Sequence, residues 1–304
     1  MPPMSYILVA LWPLFVLILV GYVMRRFGFP GEGFWAGAER LNYYILFPAL
    51  LFNSLIAAPL DHPALPRLLV AVVLVLLIAT AGLLVARRLR EWRASRFGVL
   101  LQGMLRFNTY LGLAAVSSLY GKEGMLFAAV MLAVLVPTVN VLSVMALSAD
   151  NINSVRSLLL PVAKNPLILA CAAGAAVNLA GIEPKWGADR LLTMLANTSL
   201  PLGLLSVGAA LKLDELRGQL GTLVGNSLGR LLLMPVLAFL IAWVLALPTI
   251  ESAILVLFFA LPTAPTAYVL ARQLGGDSHL MAGLITFQTL LSAISLLLVM
   301  AVVA

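Results

Sequence analysis

The chain has 304 residues, 62% of them hydrophobic and 10% charged, with a formal net charge of +7. Soluble domains carry about 25% charged residues, so this composition cannot cover a water-soluble surface, and a mean hydropathy of +1.08 agrees. The basic residues fall in short loops, which is the charge pattern of an oriented membrane protein and not of a nucleic-acid binder.

The predicted elements are about ten transmembrane helices, over residues 5–25, 38–58, 66–87, 97–120, 124–148, 160–180, 188–211, 222–247, 251–273 and 279–303. Each is close to the roughly 20 residues that cross the hydrocarbon. Glycine, proline and charge clusters punctuate them, among them "RRLREWRASR", "SADNINSVR" and "GIEPKWGADR". The first helix has Arg25 and Arg26 after it and no base before it, the wrong order for a cleaved signal and the right one for a retained helix. Thirteen Lys and Arg lie in the loops after helices 1, 3, 5, 7 and 9, including Arg156 and Lys164, against four in the alternate loops, including Lys185. This bias predicts an integral protein of the plasma membrane, a bacterial inner membrane, with both termini extracytoplasmic.

Two helices carry breakers. In the fourth, Asn108, Thr109 and Tyr110 interrupt the apolar run, with Gly112 following. In the ninth, Pro262 and Pro265 each remove a backbone donor, and Thr263 and Thr266 accompany them. A break leaves N–H and C=O groups that must face protein or a cavity. Two inward-pointing helix N-termini favour an anion there. Arg106 lies about ten residues into the fourth helix, where a charge defaults to a functional role; it is a candidate partner for a carboxylate. Arg230 is read as snorkelling to the cytoplasmic boundary, on the premise of an amphipathic lead-in over residues 214–228. The acidic residues fall in loops or at span ends, so the site leans toward anions and leaves proton or sodium coupling open. Asn53 and Asn140 are weaker candidates for solute contact; Ser199 and Gln288 read as interhelical glue. Cys171 reads as a packing residue. No His, Cys and carboxylate cluster has metal-ligand spacing, and no nucleophile–base set marks an enzyme, so neither a metal nor a cofactor is expected.

Four short matches recur in order between the halves. "GAERL" from Gly37 faces "GADRL" from Gly187, with Trp35 and Trp186 just before them. "PALL" from Pro48 faces "PLGLL" from Pro201, "FNT" from Phe107 faces "LPT" from Leu261, and "YGKE" faces "LGGD", at offsets drifting from 150 to 154. The fold class expected is therefore an all-α membrane protein of two five-helix repeats, residues 1–150 and 151–304. An odd helix count per repeat inverts the second half, an architecture of secondary transporters, with the broken fourth and ninth helices at corresponding positions.

The segments "LNYYILFPALLFNSL", "FNTYLGLAA", "NPLILACAAG", "NTSLPLGLLSVGAAL" and "PTAPTAYVLARQLGGD" resemble the auxin efflux carrier family, which includes plant PIN proteins and bacterial members thought to carry malonate and malate. The resemblance implies a fold similar to the bile-acid/sodium symporters. It implies a scaffold of helices 1, 2, 6 and 7, a moving domain of helices 3–5 and 8–10, solute at the crossing of helices 4 and 9 beside Asn108 and Pro262, and a homodimer. The chain departs from the family at "GLAA" from Gly112, where a "GIPL"-like run is usual, and it lacks the long central loop of the plant members. The expected function is secondary transport of a small organic anion, a mono- or dicarboxylate, by elevator-type alternating access. The alternatives are a sodium-coupled symporter of bile-acid or sterol-like anions, and a membrane-embedded ligand sensor.

Overall fold

Inside hydrocarbon a segment must satisfy its own backbone hydrogen bonds, which leaves the helix as the local solution. The computed structural model follows this rule: it describes residues 4–31, 33–56, 58, 62–148, 165–182 and 187–303, and no strand occurs among them. The linker from 149 to 164, with Arg156, Lys164 and the boundary between the expected halves, lies outside the described residues, as do Lys185 and Trp186.

The helices are α1 (Met4–Arg26), α2 (residues 34–56), α3 (Leu65–Arg90), α4 (Ala94–Leu105), α5 (109–120), α6 (122–147), α7 (Pro166–Leu179), α8 (Ala188–Ala209), α9 (Leu220–Val244), α10 (Thr249–Ala260), α11 (Thr266–Gln273) and α12 (Ser278–Val303). Six helical stretches among the described residues are long and apolar enough to cross a membrane. Large apolar side chains such as Val9, Leu77, Leu233 and Ile294 are exposed on their outer faces. In water this would be a liability, and in a bilayer it is the lipid-facing surface. The protein is thus an all-α integral membrane protein.

Local chemistry sets the irregularities. The α5 and α6 helices meet at Gly121, whose φ of 57° is open to glycine at little cost. The α2 helix widens into a π turn at Asn42–Leu46, just ahead of Pro48, and α9 does so at Gly229–Leu233, just ahead of Pro235. A proline in mid-helix lacks its N–H and presses on the carbonyl four residues back. One wide turn relieves both, and the Phe47 and Met234 amides reach back five residues to Asn42 and Gly229.

Packing falls into two groups. Helix α1 lies along α8, and α2 lies against α7 and α8. Helices α3 to α6 and α9 to α12 pack mainly on one another, with α10 against α9 and α12. The α1–α8 contact depends on glycine: a Cβ at Gly208 would strike the Ile18 carbonyl oxygen, and one at Gly21 the Leu205 carbonyl oxygen. Small residues that let backbones touch are the usual adhesive between membrane helices. Asn42 and Ser199 add a reciprocal pair, with Asn42 Nδ2 donating to the Ser199 carbonyl at 3.0 Å and Ser199 Oγ to Asn42 Oδ1 at 2.8 Å.

Candidate functional site

Helix α4 stops at Leu105, and residues 106–108 are not helical. Arg106, expected just ahead of the break, is its first residue, with ψ of 141°. Helix α10 stops at Ala260, and the chain runs non-helically to Pro265 before α11 begins. The two interruptions touch: the Asn108 amide donates to the Pro262 carbonyl at 2.8 Å. Pro262 cannot donate in a helix and its carbonyl is freed by the break, so the crossing supplies the partner each side lacks. Asn108 caps α5, its Oδ1 accepting from the Leu111 amide at 3.2 Å.

Beneath the crossing lies a polar hub. Thr263 Oγ1 donates to Gln288 Oε1 at 2.7 Å or to the Gly103 carbonyl at 3.0 Å. Gln288 Nε2 donates to the same carbonyl at 3.1 Å and to Asn226 Oδ1 at 3.1 Å. Gln288 on α12 therefore ties both breaks to α9. It is fully buried, as is Thr263.

Arg230 corrects the snorkelling expectation. The stretch Leu213–Arg217 is a short 3-10 turn and α9 begins at Leu220, so Arg230 lies ten residues into the helix, about 15 Å along it. It is fully buried. Its guanidinium donates to the carbonyls of Leu261 (2.6 Å), Met104 (2.7 Å) and Phe258 (3.0 Å). The breaks release carbonyls from both α4 and α10, and a buried guanidinium satisfies them better than an interface would.

A cavity of about 540 Å³ opens beside the crossing. Of the residues singled out in the sequence, Arg106, Asn108, Thr109, Tyr110, Asn140, Pro265 and Thr266 line it. Pro262 and Thr263 are held in the crossing and the hub, and Asn53, half-buried on α2, is not part of the wall. The opposite wall carries Glu39, Tyr43, Asn165 and Ser206, residues that hydropathy and breakers did not single out. The only signal for Asn165 is its place before Pro166, where it caps α7 by accepting from the Leu167 amide at 2.9 Å.

The wall carries hydrogen-bond donors that lack close protein partners among the described residues. Arg106 makes only two long contacts, to Gln102 Oε1 and Thr266 Oγ1, each at 3.5 Å, and no described carboxylate lies within ion-pair distance. Asn108 is fully buried and its Nδ2 has no hydrogen-bond partner among the described residues; the Ser206 hydroxyl is likewise unpaired among them. A polar occupant of the cavity would supply the partner each lacks. Tyr110 closes the wall toward the other helix group, its ring edge-on to Phe47 at 5.1 Å and set over Gly203, where a Cβ would meet it. Glu39 lines the cavity near the start of α2, so one carboxylate does reach the wall. No group of His, Cys, Asp and Glu that could hold a metal occurs among the described residues.

An all-helical membrane protein folded around a solute-sized cavity at two interrupted helices defines a membrane transport protein. Comparison with known proteins agrees: residues 151–300 match the family described as membrane transport protein. An "uncharacterized transporter" of Methanothermobacter thermautotrophicus is 27% identical over 286 residues, covering 92% of this chain and 93% of that protein. A "putative malonate transporter" of Rhizobium meliloti is 32% identical over 135 residues, covering 43% of this chain and 41% of that protein. The match to that family lies in the second half of the chain and is in line with the resemblance to the auxin efflux carriers; together with the transporter-named relatives it marks a transporter rather than an enzyme.

Proposed function

We propose that this transporter is a secondary carrier of small organic anions with one or two carboxylates, and that the solute binds where α5 and α11 begin. The observation that carries the reading is the Arg106 guanidinium, with no carboxylate partner among the described residues, beside the unpaired side-chain Nδ2 of the fully buried Asn108. In a medium of low dielectric, a carboxylate between them gains charge-assisted hydrogen bonds from both. Thr109 and Thr266 add hydroxyls at the first turns of the two half-helices, where the dipoles favour negative charge. The malonate name of the Rhizobium meliloti relative supports a dicarboxylate of that size.

The mechanism we infer is an elevator. Ten crossings in two inverted five-helix halves, with α4–α5 and α10–α11 as the broken members, account for the sequence matches and for the two contacting interruptions. The helices α1, α2, α7 and α8 would serve as scaffold and the rest as the moving body, and the division of packing contacts supports this assignment. A homodimer through the scaffold follows from the family resemblance. The lining includes the exposed Arg40 and Gln273, residues near the loops after the first and ninth predicted helices, and we take this end as the mouth of the cavity. With those loops in the cytoplasm and both termini outside, the conformation is inward-facing. On the far side, Tyr6 of α1 donates to the Leu119 carbonyl at 3.1 Å, which supports a closed outer gate.

The test is uptake of labelled malonate, and of a panel of mono- and dicarboxylates, into proteoliposomes. Wild type is expected to accumulate at least one acid by counterflow, and Asn108→Ala to lose most of that uptake while melting as wild type does. Undiminished uptake by a folded Asn108→Ala removes Asn108 from the site; binding without any counterflow would favour a sensor.

A further inference from the structure

Half-helices that meet end to end inside a membrane create a charge problem. The C-termini of α4 and α10 both end at the crossing, and each concentrates roughly half a negative charge on its terminal carbonyls. Without bulk water these carbonyls need donors or a cation, and unwound carbonyls and half-helix C-termini are where carriers coordinate coupling ions.

Here the place is filled by the protein. The Arg230 guanidinium lies between the two ends and donates to Met104 of α4, to Phe258 of α10 and to Leu261 just past its end. Its charge has no carboxylate partner within ion-pair distance among the described residues, so the two helix ends are its counter-charge. The neighbouring terminal carbonyl of Gly103 is also taken by protein donors, Thr263 and Gln288. The π turn at Gly229–Leu233 belongs to the same arrangement. Gly229 lies against Met104, where a Cβ would press on the methionine sulfur, which brings the Arg230 backbone close to α4.

We propose that the Arg230 guanidinium is a built-in cation that holds α4 and α10 as one unit and stands where a cation-dependent carrier would bind a dissociable ion. Arginine suits this role because it stays charged and presents five donors in a fixed fork. The consequence for the carrier is a cycle in which the crossing stays intact without sodium. That consequence rests on the transport reading above; the structural role does not.

The experiment is a melting series on the full-length protein in detergent. Wild type is expected to melt at one temperature in sodium, potassium and choline chloride at equal ionic strength. Arg230→Ala is expected to melt at least about 5 °C lower and to recover part of the loss with millimolar guanidinium. Urea, of the same planar shape but uncharged, is expected to restore nothing. Arg230→Lys keeps the charge and loses the fork, and is expected to fall between. Saturable stabilisation of wild type by sodium over choline overturns the proposal. So does absence of rescue by guanidinium, or equal rescue by urea. If Arg230→Ala cannot be purified, Arg230→Lys decides together with the wild-type ion series: a wild-type melting temperature overturns the three-carbonyl role, and a lower one supports it. These readings need no solute, so a protein that transports no carboxylate would sink the proposed function and leave this result standing.

Discussion

Arg106 and Arg230 share a side chain and have opposite roles. Arg230 is fully buried, with three bonds of 2.6–3.0 Å to main-chain carbonyls. Arg106 is half-buried at the cavity wall, with two contacts of 3.5 Å. A hydrogen bond to a charged group contributes about 1.5–3 kcal/mol, so Arg106→Gln is expected to raise the KM for the transported anion by roughly 10-fold or more with little change in melting temperature. Uptake rate against anion concentration in proteoliposomes checks this; an unchanged KM would make Arg106 a structural residue. Thr263 should behave in the reverse way. It is fully buried in the hub and outside the cavity wall, so Thr263→Val removes the hydroxyl shared by Gln288 Oε1 and the Gly103 carbonyl while the residue 263 amide still donates to Oε1 at 2.9 Å, and is expected to cost about 0.5–1.5 kcal/mol of stability. The melting temperature should fall while the KM of the remaining uptake stays near wild type.

At the scale of elements, prolines and glycines decide where helices bend and how closely they approach. Pro48 and Pro235 each sit just after a π turn, and the turn in α9 carries the buried Arg230. Gly208 and Gly21 let α1 and α8 meet backbone to backbone. Gly208→Val is expected to separate these helices and to lower the melting temperature, since forcing extra methyl groups into a packed contact costs about 1–3 kcal/mol or more. Gly37, whose added Cβ would meet nothing within 4 Å, is the control: Gly37→Ala should melt at or slightly above wild type. The breaks in the fourth and ninth predicted helices were legible because Pro262, Pro265 and the Asn108 cap act locally. The end of α5 at Gly121 coincides with the loop read from "YGKE" for the same reason.

At the scale of the molecule, the cavity and the positive-inside bias together make a prediction about access. Cys171 is the single cysteine and is buried, so a Cys171→Ala background can carry a probe at Asn140, which lines the cavity. Asn140→Cys is expected to react with a membrane-impermeant maleimide in inside-out vesicles, to react slowly in right-side-out ones, and to be protected by the transported anion. Fast labelling from the outside alone would reverse the orientation assigned to the structure.

The sequence by itself determined that the chain is helical, lies in a membrane, is interrupted near Asn108 and near Pro262–Pro265, and carries a candidate anion contact at Arg106; it placed the first break at residues 108–110, two residues later than the 106–108 of the structure. These are local properties: hydropathy over about 20 residues, a missing proline N–H, a capping asparagine. Only the tertiary structure decided that Arg230 sits on carbonyls of Met104, Phe258 and Leu261, that Thr263 and Pro262 belong to the crossing and not to the cavity wall, and that Glu39, Asn165 and Ser206 line the cavity. The reason is physical. Most of these helices are apolar on every side, so no periodicity distinguishes the face toward protein from the face toward lipid. The rotation of each helix is set by its packing against helices distant in the chain, through contacts such as Gly208 on Ile18 and Gly229 on Met104.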